Sequence, residues 1–515
     1  MSSDFSATGL EHGHNGTGNI LHMRRLGIDT YQEPVIYMRS DCHVCKSEGF
    51  EAQSRIEVWH GERRIIATLN VITSSLLKAQ EAGLSESAWR ALDGREGGAV
   101  RVMHPLPVQS FSQVRAKIYG KPITAEGAGA IIHDIVQGNY SDIQITSFIG
   151  ACAGDRLDIS ETIALTRAML AVGKRLQWDA HPIVDKHCVG GLPGNRTTPL
   201  VVSIVAACGL TIPKTSSRAI TSPSGTADTM EVLAPVNLTI PQIRRVVARE
   251  GGCIVWGGAV SLSPADDILI RLERPLDLDS SGQLVASVLS KKIAAGSTHV
   301  VIDIPVGSTA KVRSRESAQT ISAMLVSAGA AFGLTVKTVL TDGTQPVGRG
   351  IGPALEALDV LAVLQNQDHA PADLRRRALV LAAEVLELGG KAPPGAGLAL
   401  AASILDSGAA WQKFQAICEA QGGLREPELA SYRHDLLAPR SGHVAAVDNR
   451  RLARIAKLAG APKAPSAGLL FHAPLGSLVT AGTALMTIHA ESPGELAYAR
   501  AYADSQADVI GVEEV

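Results

Sequence analysis

The segment Asp185-Lys186-His187-Cys188-Val189-Gly190-Gly191-Leu192-Pro193-Gly194-Asn195-Arg196-Thr197-Thr198 gathers charged groups, an imidazole, three glycines and two hydroxyls between apolar runs. His181 to Val184 reads as the end of a short strand and Pro199 to Gly209 as a buried helix, so Asp185–Thr198 reads as the turn between them. A Gly-rich turn that enters a helix is an anion site, because its outward N–H groups and the helix dipole favour negative charge. Lys186 and Arg196 add positive charge, Thr197 and Thr198 add hydroxyl donors, and His187 adds a group that titrates near neutrality. The order of residues meets neither G-x-x-x-x-G-K-[ST] nor G-x-G-x-x-G, which sets aside the common NTPase and dinucleotide loops. The bland alternative is a tight strand-to-helix turn with surface charges.

A second loop, Lys214-Thr215-Ser216-Ser217-Arg218-Ala219-Ile220-Thr221-Ser222-Pro223-Ser224-Gly225-Thr226-Ala227-Asp228, again follows an apolar run and precedes a helical pattern. Hydroxyls are common in turns for local backbone reasons. Two such loops, each after a strand of an α/β pattern, fall side by side at the carboxyl end of a parallel sheet, where ligands bind.

The two motifs, DKHCVGG…GNRTTP and SSRAITSPSGTAD, resemble those of the thymidine/pyrimidine-nucleoside phosphorylases. Within that family they are most similar to the type 2 branch, the AMP phosphorylases and their bacterial relatives. The resemblance implies phosphorolysis of an N-glycosidic bond: phosphate attacks the anomeric carbon, the base leaves and a sugar 1-phosphate forms. It implies phosphate contacts for Lys186, Thr198, Ser216 and Thr226, with His187 near the substrate. From the AMP phosphorylases it implies Asp279 as the proton donor to the purine, with Asp277 as rival. Nucleotide contacts carry over to Gly191, Ser217, Arg218, Ala219, Ile220, Thr221, Ser222, Thr226, Ser287 and Lys311, and base-reading contacts to Ser287 and Lys291. Such a reaction needs a well-placed phosphate and a proton donor at the departing base. Asp279 donates at neutral pH only if burial or a neighbouring carboxylate raises its pKa.

Several positions depart from the pyrimidine type. Cys188 stands where those enzymes carry a phosphate-binding serine, and the arginine that grips the pyrimidine carbonyl has no counterpart, Leu272 falling in register between Arg271 and Arg274. These departures favour AMP, with adenine and ribose 1,5-bisphosphate as products. Thymidine phosphorolysis is the alternative, and a non-catalytic nucleotide-binding protein a third reading. Arg196 is a further candidate for a 5′-phosphate.

The elements that position these groups point to a multidomain α/β chain. Residues about 22–105 read as a small β-rich, barrel-like N-terminal domain after a tail over 1–21. Residues 106–178 read as helical, with helices over Ile118–Ile135 and Ser160–Val172, and the resemblance returns 265–296 to this discontinuous domain. Residues 180–435 read as a large mixed or parallel α/β domain, with Val300–Ile304 and Thr335–Leu340 as buried strands and Ser261–Gly296 as an extended piece followed by a helix. Residues 440–515 read as a small α+β domain.

Composition sets outer limits. A formal net charge of −2 implies no attraction to nucleic acid or anionic membrane, and no apolar run is long enough to span one. Seven thinly spread cysteines suit a reducing cytoplasm rather than a disulfide framework. Cys42-His43-Val44-Cys45 supplies only two zinc ligands and reads as an inert loop, with zinc or redox work as alternatives. No metal or organic cofactor is expected, inorganic phosphate being the co-substrate, and the resemblance implies a homodimer or larger assembly.

Overall fold

The computed structural model describes residues 19–515 apart from Ile220, Thr221, Asp277, Asp279, Ala507 and Val515. The chain forms two compact units, one of residues up to Phe111 with Gln137–Gln144 and one of the remainder.

The first unit is a closed six-stranded barrel of Ile20–Arg25, Val35–Arg39, Arg55–His60, Arg63–Ile72, Glu81–Leu84 and Ala99–Met103. Alternating residues such as Leu21, Met23, Ile56, Val58, Val100 and Val102 fill its interior. Cys42 caps the short helix His43–Glu48, accepting from the Cys45 amide at 3.2 Å, and both thiols are buried in the barrel core. Among the described residues no group of three His, Cys, Asp or Glu is placed to hold a metal.

The second unit is built around parallel strands. His299–Val306 pairs with Val184–Cys188 on one side and Thr335–Asp342 on the other. Ile212–Ser216 pairs with Gly252–Trp256, and a bridge between Ile183 and Thr211 joins the two sheets. Alternation splits the central strand between two cores. Val301 joins Val184 and the buried helix Thr197–Ala207, whereas Val300, Ile302 and Ile304 meet Val285, Val288 and Leu289 of the helix Ser281–Ala294. Each fully buried aliphatic side chain contributes about 1.5–3 kcal/mol. The helices Ala125–Val136, Ile159–Val172, Pro264–Leu276 and Ser281–Ala294 pack together as the helical layer. The C-terminal domain pairs Gly468–Phe471, Ala484–Ala490 and Tyr432–Leu437 in an antiparallel sheet, which Gly350–Ile351 joins at one edge.

Four sequence expectations are corrected. Asp185, Lys186, His187 and Cys188 belong to the strand rather than the turn, and pairing with Lys214 and Lys292 lets Asp185 be buried there. Ile118–Ile135 is two helices, Phe111–Ile118 and Ala125–Val136, separated around Gly120 and Pro122. Thr335–Asp342 is an edge strand, mostly half-exposed, rather than a buried one. The extended piece before Ser281 is the helix Pro264–Leu276, with Asp266 and Asp267 in its first turn, where the helix dipole favours carboxylates.

Candidate active site

Strand alternation gives Asp185 and His187 one face and Lys186 the other. Asp185 is fully buried and receives Lys292 Nζ at 2.6 Å and Lys214 Nζ at 3.2 Å. Burial pushes its carboxyl up, but Lys214 and Lys292 outweigh this and hold it below the ordinary value. Lys214 also donates to the Lys186 carbonyl at 2.6 Å, tying the two loop-bearing strands together at the motif.

Lys186 is 1% exposed, and its Nζ donates to Thr197 Oγ1 at 2.6 Å. Among the described residues no carboxylate pairs with it, unlike Lys214, Lys291 and Lys292. Burial holds its ammonium below the ordinary value, with Asp303 pulling the other way. Asp303 accepts from Thr341 Oγ1 at 2.6 Å and Asn195 Nδ2 at 3.2 Å. Burial and Asp303 push the Cys188 thiol up to about 12, so it stays protonated. Burial, then the charges of Lys292, Lys214, Lys291 and Lys186, hold His187 well below its ordinary value. This environment favours the neutral imidazole of His187 over the charged one.

The turn needs its glycines. Gly191 has φ +81°, and a Cβ there would lie 2.4 Å from Lys311 Cβ. Gly225 lies so close to the chain at Arg218 that a Cβ would meet the Arg218 carbonyl carbon at 2.5 Å. Asp228 closes this second loop by accepting from the amides of Ala219 at 2.7 Å and Gly225 at 2.9 Å.

Arg196 is corrected from a phosphate candidate to a structural residue. Its guanidinium is buried, paired with Glu356, and donates to Thr226 Oγ1 at 2.8 Å. Arg218 is likewise occupied. It binds Glu231 at 2.6 and 2.9 Å and Asp228 at 3.1 Å, and stacks 4.8 Å from the Trp256 ring centroid. Ser216 Oγ donates to the Val255 carbonyl at 3.1 Å, Ser222 Oγ to the Ser224 carbonyl at 2.8 Å, and the Ser217 carbonyl accepts from Ala227. Thr198 is buried in the first turn of its helix. On the opposite helix Lys291 donates to Ser287 Oγ at 3.2 Å and pairs with Asp266 at 2.6 Å. Asp279, its rival Asp277, Ile220 and Thr221 lie outside the described residues.

The structure thus joins Lys186 to Thr197, the next residue Arg196 to Thr226, Gly191 to Lys311 and Ser287 to Lys291. Asp185, Asp228, Asp266 and Glu356 were not singled out from sequence as organisers. Asp185 and Asp228 carried a signal, as members of the two quoted loops, whereas Asp266 and Glu356 carried none.

A helical bundle beside an α/β domain is the arrangement of the glycosyl transferase family. Residues 113–173 match the helical bundle domain of the glycosyl transferase family and residues 180–411 its a/b domain, while 443–508 match the pyrimidine nucleoside phosphorylase C-terminal domain. "Putative thymidine phosphorylase" of Polaromonas sp. is 63% identical over 97% of this chain and 98% of that protein. "Putative thymidine phosphorylase 1" of Acidovorax sp. is 63% identical over 95% of this chain and 96% of its own, and the Hahella chejuensis protein of the former name 59% over 96% and 98%. The chain belongs to this nucleoside phosphorylase family and is a pentosyltransferase. Among the described residues no helix is long and apolar enough to cross a membrane.

Proposed function

We propose that the enzyme cleaves a nucleoside 5′-monophosphate, converting AMP and phosphate to adenine and ribose 1,5-bisphosphate. The observation that carries the phosphate half is Lys186: a buried ammonium with a hydroxyl partner, no carboxylate among the described residues, and a helix N-terminus beside it. Such a cation calls for an anion. The bond from C1′ to the base breaks as a phosphate oxygen bonds C1′, and a proton passes from the Asp279 carboxyl to the departing purine. Neutral His187 orients the substrate without adding charge. Phosphate is co-substrate and no metal or organic cofactor takes part; the enzyme works as a cytoplasmic homodimer or larger assembly.

Cys188 in place of a serine supports a nucleotide over thymidine. One observation favours thymidine: Arg218, the cation expected at a 5′-phosphate, is held by Glu231. Base release from AMP, CMP, UMP, thymidine and uridine, with and without phosphate, decides between them. Phosphate-dependent release from AMP and not thymidine is expected; release from thymidine alone would replace the proposal with the second reading. Asp279→Asn should retain AMP binding and slow base release strongly.

A further inference from the structure

A cavity of about 520 Å³ lies between the helix Pro353–Leu364 and the antiparallel sheet of the C-terminal domain. None of its lining residues belongs to the Lys186 or Arg218 loops. Leu355, Leu358, Leu429 and Leu470 form an apolar wall. The polar wall follows from strand register: Arg433 stands directly opposite His489, so the two side chains share one sheet face.

His489 is 3% exposed, yet among the described residues neither Nδ1 nor Nε2 has a hydrogen-bond partner. Burial and the nearby Arg433 charge hold it down at about 4, and both nitrogens lie beneath the cavity surface. Arg433 is the exposed cation of this wall. Its Nε reaches the Ala430 carbonyl at 3.4 Å, and among the described residues no carboxylate pairs with it. The two carboxylates in the wall are engaged: Asp435 accepts from Thr487 at 2.7 Å, and Asp359 from the amides of Arg349 and Gly350 at 2.6 and 2.7 Å.

We infer that this cavity binds a small organic anion, with its acidic group on Arg433 and its body against the leucines, beside the His489 ring. The volume admits a molecule up to nucleotide size. The acidic group is a phosphate or a carboxylate, and the inference stands independently of the reaction at Lys186.

The test is NMR of the full chain carrying isotope-labelled histidine, the His489 resonance being identified by its loss in His489→Gln. AMP serves as the phosphate-bearing probe and benzoate as the carboxylate-bearing one. At least one should shift the His489 resonance saturably at millimolar concentration, the responding probe telling phosphate from carboxylate. Arg433→Ala should weaken that response roughly tenfold or more. Leu358→Trp, which fills the cavity, should abolish it while the other histidine resonances stay in place. The His187 resonance reports binding at the Lys186 loop separately. No shift of His489 with either probe would mean that the cavity holds water alone, and a shift that persists in both variants would mean that it reports binding elsewhere; either result overturns the inference.

Discussion

Arg196 Nε donates to Glu356 Oε2 at 2.7 Å, a buried ion pair spanning 160 residues of sequence. The same guanidinium donates to Thr226 Oγ1 at 2.8 Å and to the Ser224 carbonyl at 2.9 Å, so it staples the first loop to the second. Glu356 therefore shapes the site from outside it. Burial pushes its carboxyl up while Arg196 pulls it down.

Glu356→Ala should be strongly destabilising, because it leaves the Arg196 guanidinium buried without a counter-charge. The expected loss is about 3–5 kcal/mol. Urea unfolding of the phosphate-free enzyme measures it, and an unchanged midpoint would contradict the structural role.

Lys186→Met should behave in the opposite way. It removes a buried cation lacking a carboxylate partner among the described residues, so stability without phosphate should be equal or higher. Phosphate should raise the melting temperature of the wild type by mass action and leave that of the variant unmoved. Equal phosphate stabilisation in both would remove Lys186 from the phosphate site.

The depressed pKa of His187 predicts a pH effect of definite sign. The unfolded chain takes up a proton near pH 6.5 while the folded imidazole does not. Stability from this group is thus complete above that pH and lost as pH falls below it, by up to about 1.4 kcal/mol per pH unit. His489, held at about 4, acts in the same direction. His187→Gln should flatten the acid limb of unfolding free energy against pH, and His489→Gln should flatten it independently. An acid limb as steep in His187→Gln as in the wild type would show that the folded chain does not hold this imidazole neutral.

Much of the frame is legible in the chain. Val300–Ile304, apolar apart from Asp303, lies within a strand buried between two cores. The Gly-rich turn into a helix start is also legible, because glycines and hydroxyls are local features. Partner choice is not. Asp185 and Lys186 are adjacent, yet one carries two lysines from distant elements and the other meets a threonine. Arg196 and Arg218 read as free cations until the fold brings Glu356 and Glu231 to them. The helix Pro264–Leu276 is not legible as one, because packing on neighbouring helices decides its form.

The Arg218–Glu231 pair bears on substrate choice. If a 5′-phosphate binds Arg218, it must compete with a half-exposed carboxylate. Glu231→Gln should then lower KM for AMP by up to about five-fold, the worth of an exposed ion pair, with little change for thymidine. Steady-state kinetics on both substrates checks this. A KM for AMP that is unchanged or raised would argue that Arg218 is a loop brace only.

The most direct measurement follows isotopically labelled inorganic phosphate incubated with the enzyme and AMP. Nucleotide phosphorolysis predicts label in ribose 1,5-bisphosphate, one equivalent for each adenine released. Unlabelled ribose 5-phosphate beside adenine, or no adenine at all while thymidine yields labelled deoxyribose 1-phosphate, would contradict it.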